Sequence, residues 1–108
     1  MHNFLEPTPF AGRLVIIGFG AVAQGVLPLL FRHLTLRPEQ VRIITADACG
    51  IEEATAYGVG HRILPLSCGN YREIMTPLVG PGDFVLNLAV NVSSVALIEF
   101  CRERGALY

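Results

Sequence analysis

Residues 13–25 read Arg-Leu-Val-Ile-Ile-Gly-Phe-Gly-Ala-Val-Ala-Gln-Gly, an apolar run followed at once by closely spaced small residues. Residues 14–17 are all aliphatic and mostly β-branched, which is typical of a parallel strand buried on both faces. Gly18, Gly20 and Ala23 then complete a G-x-G-x-x-G/A pattern ahead of an apolar helix. In such a unit the first glycine permits a sharp turn, the second lets a pyrophosphate approach the backbone, and the third small residue lets the helix pack on the strand. The sequence therefore predicts a dinucleotide-binding strand–turn–helix.

The start of the predicted helix is the expected phosphate site. Its first amides lack partners within the helix, and the helix dipole places about half a positive charge there, so a bound anion is stabilised. On this basis we assign five cofactor-binding residues: Gly18, Phe19, Gly20, Ala21 and Val22. An ordinary turn between a strand and a helix is the alternative, because glycines also mark turns that bind nothing.

Asp47 follows the second predicted strand, residues 41–46, and is the second part of the cofactor prediction. A carboxylate at this position accepts hydrogen bonds from the adenine ribose hydroxyls and repels a 2′-phosphate. No Arg is found among the next residues, Ala48, Cys49 and Gly50. The pattern therefore favours NAD over NADP. The alternative is a solvated Asp that begins a turn.

The rest of the chain alternates strands and helices. From the amino terminus we predict an irregular lead-in over 1–12, and a helix over 21–34 that is apolar nearly all round, as expected for a helix buried against a sheet. The following elements are a helix over 50–57, a strand over 61–66, a helix to 78 capped by Asn70, a turn over 80–83, a strand over 84–90, a helix to 104 capped by Ser93 or Ser94, and the opening of a strand over 106–108. Short loops and right-handed crossovers then give an α/β fold, a Rossmann-like doubly wound parallel sheet with strand order 3-2-1-4 and a truncated strand 5. We expect residues 13–108 to be a dinucleotide-binding domain truncated at its C-terminal end, the N-terminal part of a larger enzyme, because the apolar fourth strand would otherwise leave an open edge.

Polar residues cluster in and after the fourth predicted strand, where ligands bind in open α/β sheets. We assign Asn87, Ala89, Asn91 and Ser94 to the cofactor site on this basis. Asn87 stands in an otherwise apolar strand, and a buried amide needs hydrogen-bond partners. Those partners are either backbone groups, in a structural role, or the cofactor and substrate.

Composition excludes several classes of protein. Of the 108 residues, 52% are hydrophobic and 16% are charged, so a disordered chain is excluded. The net charge of −1 gives no reason to expect nucleic acid or an anionic membrane as a partner. We expect a cytoplasmic protein, because no apolar run is long enough for a membrane span and the first residues carry no basic cluster. The three cysteines have no metal-site or disulfide spacing, and His61 is predicted to lie on the surface.

The combined motifs resemble a known family. Residues 12–30, with Gly-Phe-Gly followed by Gln-Gly-Val-Leu-Pro, resemble the opening of the bacterial homospermidine synthase family, which is related to saccharopine dehydrogenase. Residues 44–47 (Ile-Thr-Ala-Asp), 82–94 and 105–108 resemble it too. Two positions depart from the family pattern. Ala23 replaces a more usual glycine, and Asn91 stands where an acidic residue is expected, which puts a charge-based amine contact there in doubt.

The resemblance implies an enzyme that is active only at full length, as a homodimer, with putrescine or a related polyamine as substrate. Bound NAD would serve the oxidation of putrescine to an imine; a second amine would add, ammonia would leave, and the new imine would be reduced to homospermidine. Gly18, Gly20 and Asp47 would hold NAD, residues 87–94 would border the nicotinamide, and the catalytic groups would lie beyond Tyr108.

Other functions remain compatible with the motifs. One is a different saccharopine dehydrogenase-like oxidoreductase, and another is a module that senses NAD without turnover. A third is an S-adenosylmethionine-binding methyltransferase, which also pairs a glycine loop with an acidic residue after the second strand. The short turn after residue 17 suits a pyrophosphate better than a methionine tail, which argues against the third.

Overall fold

The computed structural model describes residues 8–48, 50–67, 69–89 and 93–108. Its elements, in chain order, are β1 (Thr8–Pro9), β2 (Leu14–Ile17), α1 (Ala21–His33), β3 (Leu34–Thr35), a 3-10 turn (Pro38–Gln40), β4 (Val41–Thr45), α2 (Ile51–Ala56), β5 (Gly60–Ile63), α3 (Tyr71–Met75), β6 (Phe84–Asn87) and α4 (Ser94–Arg104). In these ranges, no helix is long and apolar enough to cross a membrane.

The main sheet has four parallel strands in the order β5-β4-β2-β6. This is the predicted order 3-2-1-4, so the Rossmann-like doubly wound fold is confirmed. The predicted opening of a fifth strand is confirmed as well. Leu107 forms a parallel bridge with Phe84, its amide donates to Asp83 O at 2.8 Å, and its carbonyl accepts from Val85 N at 2.9 Å.

The core lies on both faces of this sheet because successive residues of β2 point to opposite sides. Leu14 and Ile16 pack with residues of α1 and α2, whereas Val15 and Ile17 pack with α3 and α4. All four residues of β2 are buried. The unbroken aliphatic run is therefore explained by a central strand covered by helices on both sides.

Helix α1 packs against one face of the sheet, as predicted. Only Ala23 and Leu27 are buried within it, whereas Val22 is 70% and Leu29 50% exposed. A helix that lies on one face of a sheet buries a single stripe, and the apolar residues outside that stripe face away from the core. The residues that are apolar nearly all round the helix therefore do not all face the core.

Two further details differ from the sequence predictions. The lead-in, expected to be irregular, contributes β1, which pairs in parallel with β3. Asn70 does not cap α3: its Oδ1 accepts from Ser67 N at 2.6 Å, and its Nδ2 donates to Pro65 O at 2.9 Å. The amide thus organises the loop before the helix. Ser93 does cap α4, because its Oγ accepts from Ala96 N at 3.3 Å.

Candidate functional site

The candidate site lies at the carboxyl edge of the sheet, where the parallel strands all end. Gly18 follows β2 directly, Asp47 follows β4 by two positions, and Ala89 follows β6 by two positions. A narrow crevice of about 100 Å³ opens between these strand ends. It is lined by Ile17, Gly18, Ile44, Thr45, Ala46, Leu64, Pro65, Leu66 and Ala89. Crevices of this kind, outside the carboxyl ends of the strands, are where open α/β sheets bind ligands.

Gly18 and Gly20 have different structural reasons to be glycine. Gly18 has φ +87°, and a Cβ there would lie 2.9 Å from Ala89 N, so the fold itself requires glycine. A Cβ built on Gly20 would meet no heavy atom of the described residues within 4 Å. The second glycine therefore leaves open space beside the start of α1. This space is what a pyrophosphate needs in order to approach the backbone, so the loop fits a dinucleotide.

The first turn of α1 favours an anion. Gln24 N donates to Gly20 O at 3.0 Å, which is the first bond of the helix, so the amides before Gln24 have no partner within it. No acidic side chain lies in this turn, and Ala21 and Val22 are exposed. Positive partial charge at the helix start is therefore not cancelled by its own side chains.

Phe19 points into the protein rather than toward the crevice. Its side chain is 2% exposed and packs so closely on Gly50 that a Cβ there would lie 2.3 Å from Phe19 Cδ2. Its carbonyl accepts from Gln24 Nε2 at 3.0 Å. A ligand at the loop would thus meet the Phe19 backbone and not its ring. Gln24 is not among the residues assigned from the sequence, although it is the polar residue in the apolar first half of the helix.

Asp47 is exposed at the tip of β4, beside an acidic cavity. Ala48 and Gly50, its close neighbours in the chain, line an open cavity of about 450 Å³ together with Gln24, Ile51, Glu52 and Glu53. The carboxylates of α2 therefore border the same space as the loop after Asp47. A ligand group with additional negative charge would be repelled there.

His61 is a residue of this edge that sequence reasoning placed elsewhere. It was expected on the surface, but it lies half-buried in β5, with Nε2 3.3 Å from Thr45 Oγ1. Its ring meets Phe19 edge-to-face, with centroids 6.4 Å apart and an interplanar angle of 71°. Thr45 Oγ1 in turn donates to the carbonyl of Asp47. The surface prediction is wrong because the β4–β5 register turns His61 toward the glycine loop.

The residues after β6 have mixed surroundings. Asn87 Nδ2 donates to Tyr108 Oη at 3.1 Å, and Asn87 Oδ1 accepts from Ala89 N at 3.1 Å. These contacts favour the structural role of the two considered for Asn87. Ser94 is exposed at the first position of α4, and Asn91 lies outside the described residues.

Metal and thiol chemistry have little support at this edge. In the part of the chain that the structure describes, no group of three or more His, Cys, Asp or Glu residues is placed to hold a metal ion. Cys101 is a free thiol on α4, buried on the face of the sheet that α3 and α4 cover. Burial raises the pKa of this thiol. Cys49 and Cys68 lie outside the described residues.

Known proteins with similar sequences and structures support a nucleotide-binding domain. Homospermidine synthase from Blastochloris viridis is 39% identical over 100 residues, which are 90% of this chain and 21% of that protein. The homospermidine synthase from Mesorhizobium japonicum (strain LMG 29417 / CECT 9101 / MAFF 303099) is 31% identical with the same coverage. The crystal structure of a homospermidine synthase from Legionella pneumophila in complex with NAD superposes with a TM-score of 0.90 at 36% identity, over 94% of this chain and 22% of that one.

The chain thus spans about a fifth of the length of these relatives. The family described as "Saccharopine dehydrogenase NADP binding domain" matches residues 14–108, which include every strand of the main sheet and the glycine loop. The chain belongs to the saccharopine dehydrogenase NADP binding domain family.

Proposed function

We propose that the chain binds NAD at the carboxyl edge of its sheet. The observation that carries the proposal is the open space at Gly20, directly beside the first amides of α1, which have no partner within the helix. The pyrophosphate would lie against this backbone, with its charge stabilised by the helix start. The NAD complex of the Legionella pneumophila relative, at a TM-score of 0.90, supports the same ligand.

We infer a preference for NAD over NADP, although the family description mentions NADP. The Asp47 side chain would accept hydrogen bonds from the adenine ribose hydroxyls. A 2′-phosphate would meet the Asp47 carboxylate, with Glu52 and Glu53 bordering the adjacent cavity. Because like charges close together repel, each of these groups disfavours the extra phosphate. Of the other residues assigned from the sequence, the Phe19, Ala21 and Val22 backbones would border the pyrophosphate, and Asn87, Ala89, Asn91 and Ser94 the nicotinamide side.

At the level of the whole enzyme, we propose the formation of homospermidine from putrescine. The support is the shared name of the relatives, together with the sequence resemblance over residues 12–108. Bound NAD would supply hydride transfer, and the residues of this chain would bind it and orient it in the crevice. The amine substrate, a homodimeric assembly and a cytoplasmic location remain predictions.

Calorimetric titration of the chain with NAD, NADP and S-adenosylmethionine tests the cofactor proposal. We expect NAD to bind, NADP to bind at least tenfold more weakly, and S-adenosylmethionine not to bind. Asp47→Ala should weaken NAD binding about tenfold, which corresponds to 1.4 kcal/mol of lost ribose contact. Glu99→Gln is the matched control, because Glu99 is an exposed carboxylate on α4, away from this edge. Tight binding of S-adenosylmethionine, or equal binding of NAD and NADP, would contradict the proposal.

A chimera tests the whole-enzyme proposal. The chain replaces the matching fifth of the Blastochloris viridis enzyme, and homospermidine formed from putrescine is measured with NAD present. We expect a functional chimera whose activity is strongly reduced by Asp47→Ala and unchanged by Glu99→Gln. A folded chimera that binds NAD but forms no homospermidine would contradict the shared activity while leaving the cofactor proposal intact.

A further inference from the structure

His61 connects three segments that would surround the adenosine half of the dinucleotide. Its ring packs edge-to-face on Phe19 of the glycine loop, and its Nε2 lies 3.3 Å from Thr45 Oγ1 at the end of β4. Phe19 also packs against Gly50, where the loop after Asp47 joins α2. One side chain on β5 is therefore in contact with both the pyrophosphate loop and the strand that leads to Asp47.

The hydrogen-bond roles in this network follow from the number of protons. The Thr45 hydroxyl has one proton, which it donates to the Asp47 carbonyl. It must therefore accept from His61, so Nε2 of His61 carries the shared proton. The other nitrogen, Nδ1, is buried without a hydrogen-bond partner. His61 thus has a single polar contact among the described residues, and that contact leads through one hydroxyl to the backbone of Asp47.

We propose that His61 is a positioning residue for the ribose-binding carboxylate. Through Thr45 it holds the Asp47 carbonyl, and so fixes the direction in which the Asp47 side chain leaves the tip of β4. The inference rests on the proposed NAD site, because it assigns a supporting residue to the ribose contact of that site. His61 itself does not touch the ligand and is not a catalytic residue.

Three substitutions separate the hydrogen bond from the packing. His61→Phe keeps a ring against Phe19 and removes the donor, whereas His61→Gln loses the ring and keeps an N–H donor at nearly the same distance from the backbone. Thr45→Val removes the acceptor without changing the shape of the side chain. If His61 is a positioning residue, His61→Phe and Thr45→Val weaken NAD binding in the same way. His61→Gln then keeps the affinity of the wild type.

The binding experiment uses NAD, ADP-ribose and nicotinamide mononucleotide as probes. We expect His61→Phe to weaken NAD and ADP-ribose binding by the same factor, about three- to tenfold for one hydrogen bond, and to leave nicotinamide mononucleotide unchanged. In the Asp47→Ala background, His61→Phe should have no further effect. Equal losses in His61→Phe and His61→Gln, or a loss that persists without Asp47, would overturn the proposal.

Amide hydrogen exchange provides a measurement that needs no ligand. The amides of Asp47, Ala48 and Gly50 should exchange faster in His61→Phe and Thr45→Val than in the wild type, and at the wild-type rate in His61→Gln. Unchanged exchange in the first two variants would refute the positioning role. If Asp47→Ala does not affect NAD binding, the ribose assignment has failed, and the exchange rates still decide whether His61 holds this loop.

Discussion

The two edges of the parallel sheet are built in opposite ways. At the amino edge, polar groups are satisfied by the protein itself: the Asp83 carboxylate accepts from Arg13 N at 2.8 Å, Arg13 Nε at 3.0 Å and Gly80 N at 2.8 Å. Gln40, ahead of β4, donates to the carbonyls of Phe10 and Gly12. At the carboxyl edge, Gly20 faces open space and a crevice separates the strand ends. We therefore infer that the amino edge stabilises the fold, whereas the carboxyl edge is the proposed ligand site.

Asp83→Ala should have the largest effect on stability. Asp83 is buried, and its removal leaves two backbone amides and the Arg13 guanidinium without their acceptor. We expect the free energy of unfolding to fall by about 2–4 kcal/mol, measured by urea denaturation. Asp83→Asn, which keeps one acceptor oxygen, should lose less. A change of more than threefold in NAD affinity, measured under conditions in which the variant is still folded, would contradict the division of stability and ligand binding between the two edges.

Gly20→Ala should show the opposite pattern. The added methyl group enters space that no atom of the described residues occupies, so we expect less than about 1 kcal/mol of destabilisation. The same methyl group would hold a pyrophosphate away from the backbone, and NAD affinity should fall about tenfold or more, or 1.4 kcal/mol. Calorimetry measures the affinity and thermal unfolding the stability.

Gly18→Ala is the contrasting variant within the same loop. Its positive φ and the short distance to Ala89 N should make the chain less stable. Wild-type NAD affinity in Gly20→Ala would contradict the placement of the pyrophosphate, whereas wild-type stability in Gly18→Ala would contradict the reason given for that glycine.

Gly25→Ala tests whether the helix that would bind phosphate can be stabilised without affecting the site. Gly25 is exposed in the interior of α1, and a Cβ there would meet no heavy atom within 4 Å in the described part of the chain. Alanine should therefore raise the free energy of unfolding by about 0.5–1 kcal/mol. NAD affinity should not change, because the residue lies more than one turn after the helix start. Loss of NAD binding in this variant would mean that the ligand extends further along α1 than proposed.

The sequence predicts the strands and their order well because the strongest signals come from burial on both faces. The aliphatic runs in β2 and β4 and the glycine pattern at Gly18 follow from local chemistry, which a linear sequence displays. Helix α1 is apolar nearly all round, so residues such as Val22 and Leu29 do not reveal which face of the helix the sheet covers.

The sequence does not predict which side chains on neighbouring strands are in contact. The His61–Thr45 contact depends on the register that pairs Ile43 with His61 and Thr45 with Ile63, and no local pattern encodes it. The same holds for Phe19, whose inward direction is set by Gly50 and His61. Asn70 is predicted as a helix cap from its residue type. In the structure its side-chain amide instead forms hydrogen bonds with two backbone groups of the loop ahead of α3. At the candidate site, local sequence pattern predicts the loops, whereas tertiary packing determines which side chains face the crevice.

The ion pair between Arg72 and Glu103 should have the smallest effect, since it lacks the burial of the Asp83 site. Its side chains are 49% and 57% exposed, against 6% for Asp83, although Arg72 Nη1 and Nη2 reach the two Glu103 oxygens at 2.8 and 3.2 Å. Hydrogen bonds from Arg72, and then its charge, hold the pKa of Glu103 below the ordinary value. A carboxyl group whose pKa is lower in the folded than in the unfolded chain adds stability at pH values above its unfolded pKa. This contribution is lost as the pH falls through the folded pKa. Solvent screens an exposed pair, so the change in stability between neutral and acidic pH should be small.

Titration of the Glu103 carboxyl carbon by NMR checks this directly. Arg72→Gln should raise the pKa of Glu103, and Arg72→Lys, which keeps the charge but not the paired hydrogen bonds, should raise it less. An unchanged pKa in Arg72→Gln would show that the contact does not persist in solution. If Arg72→Gln lost as much stability as Asp83→Ala, burial would not be what distinguishes the two ion pairs. The amino edge would then contribute no more to the stability of the fold than an exposed ion pair does.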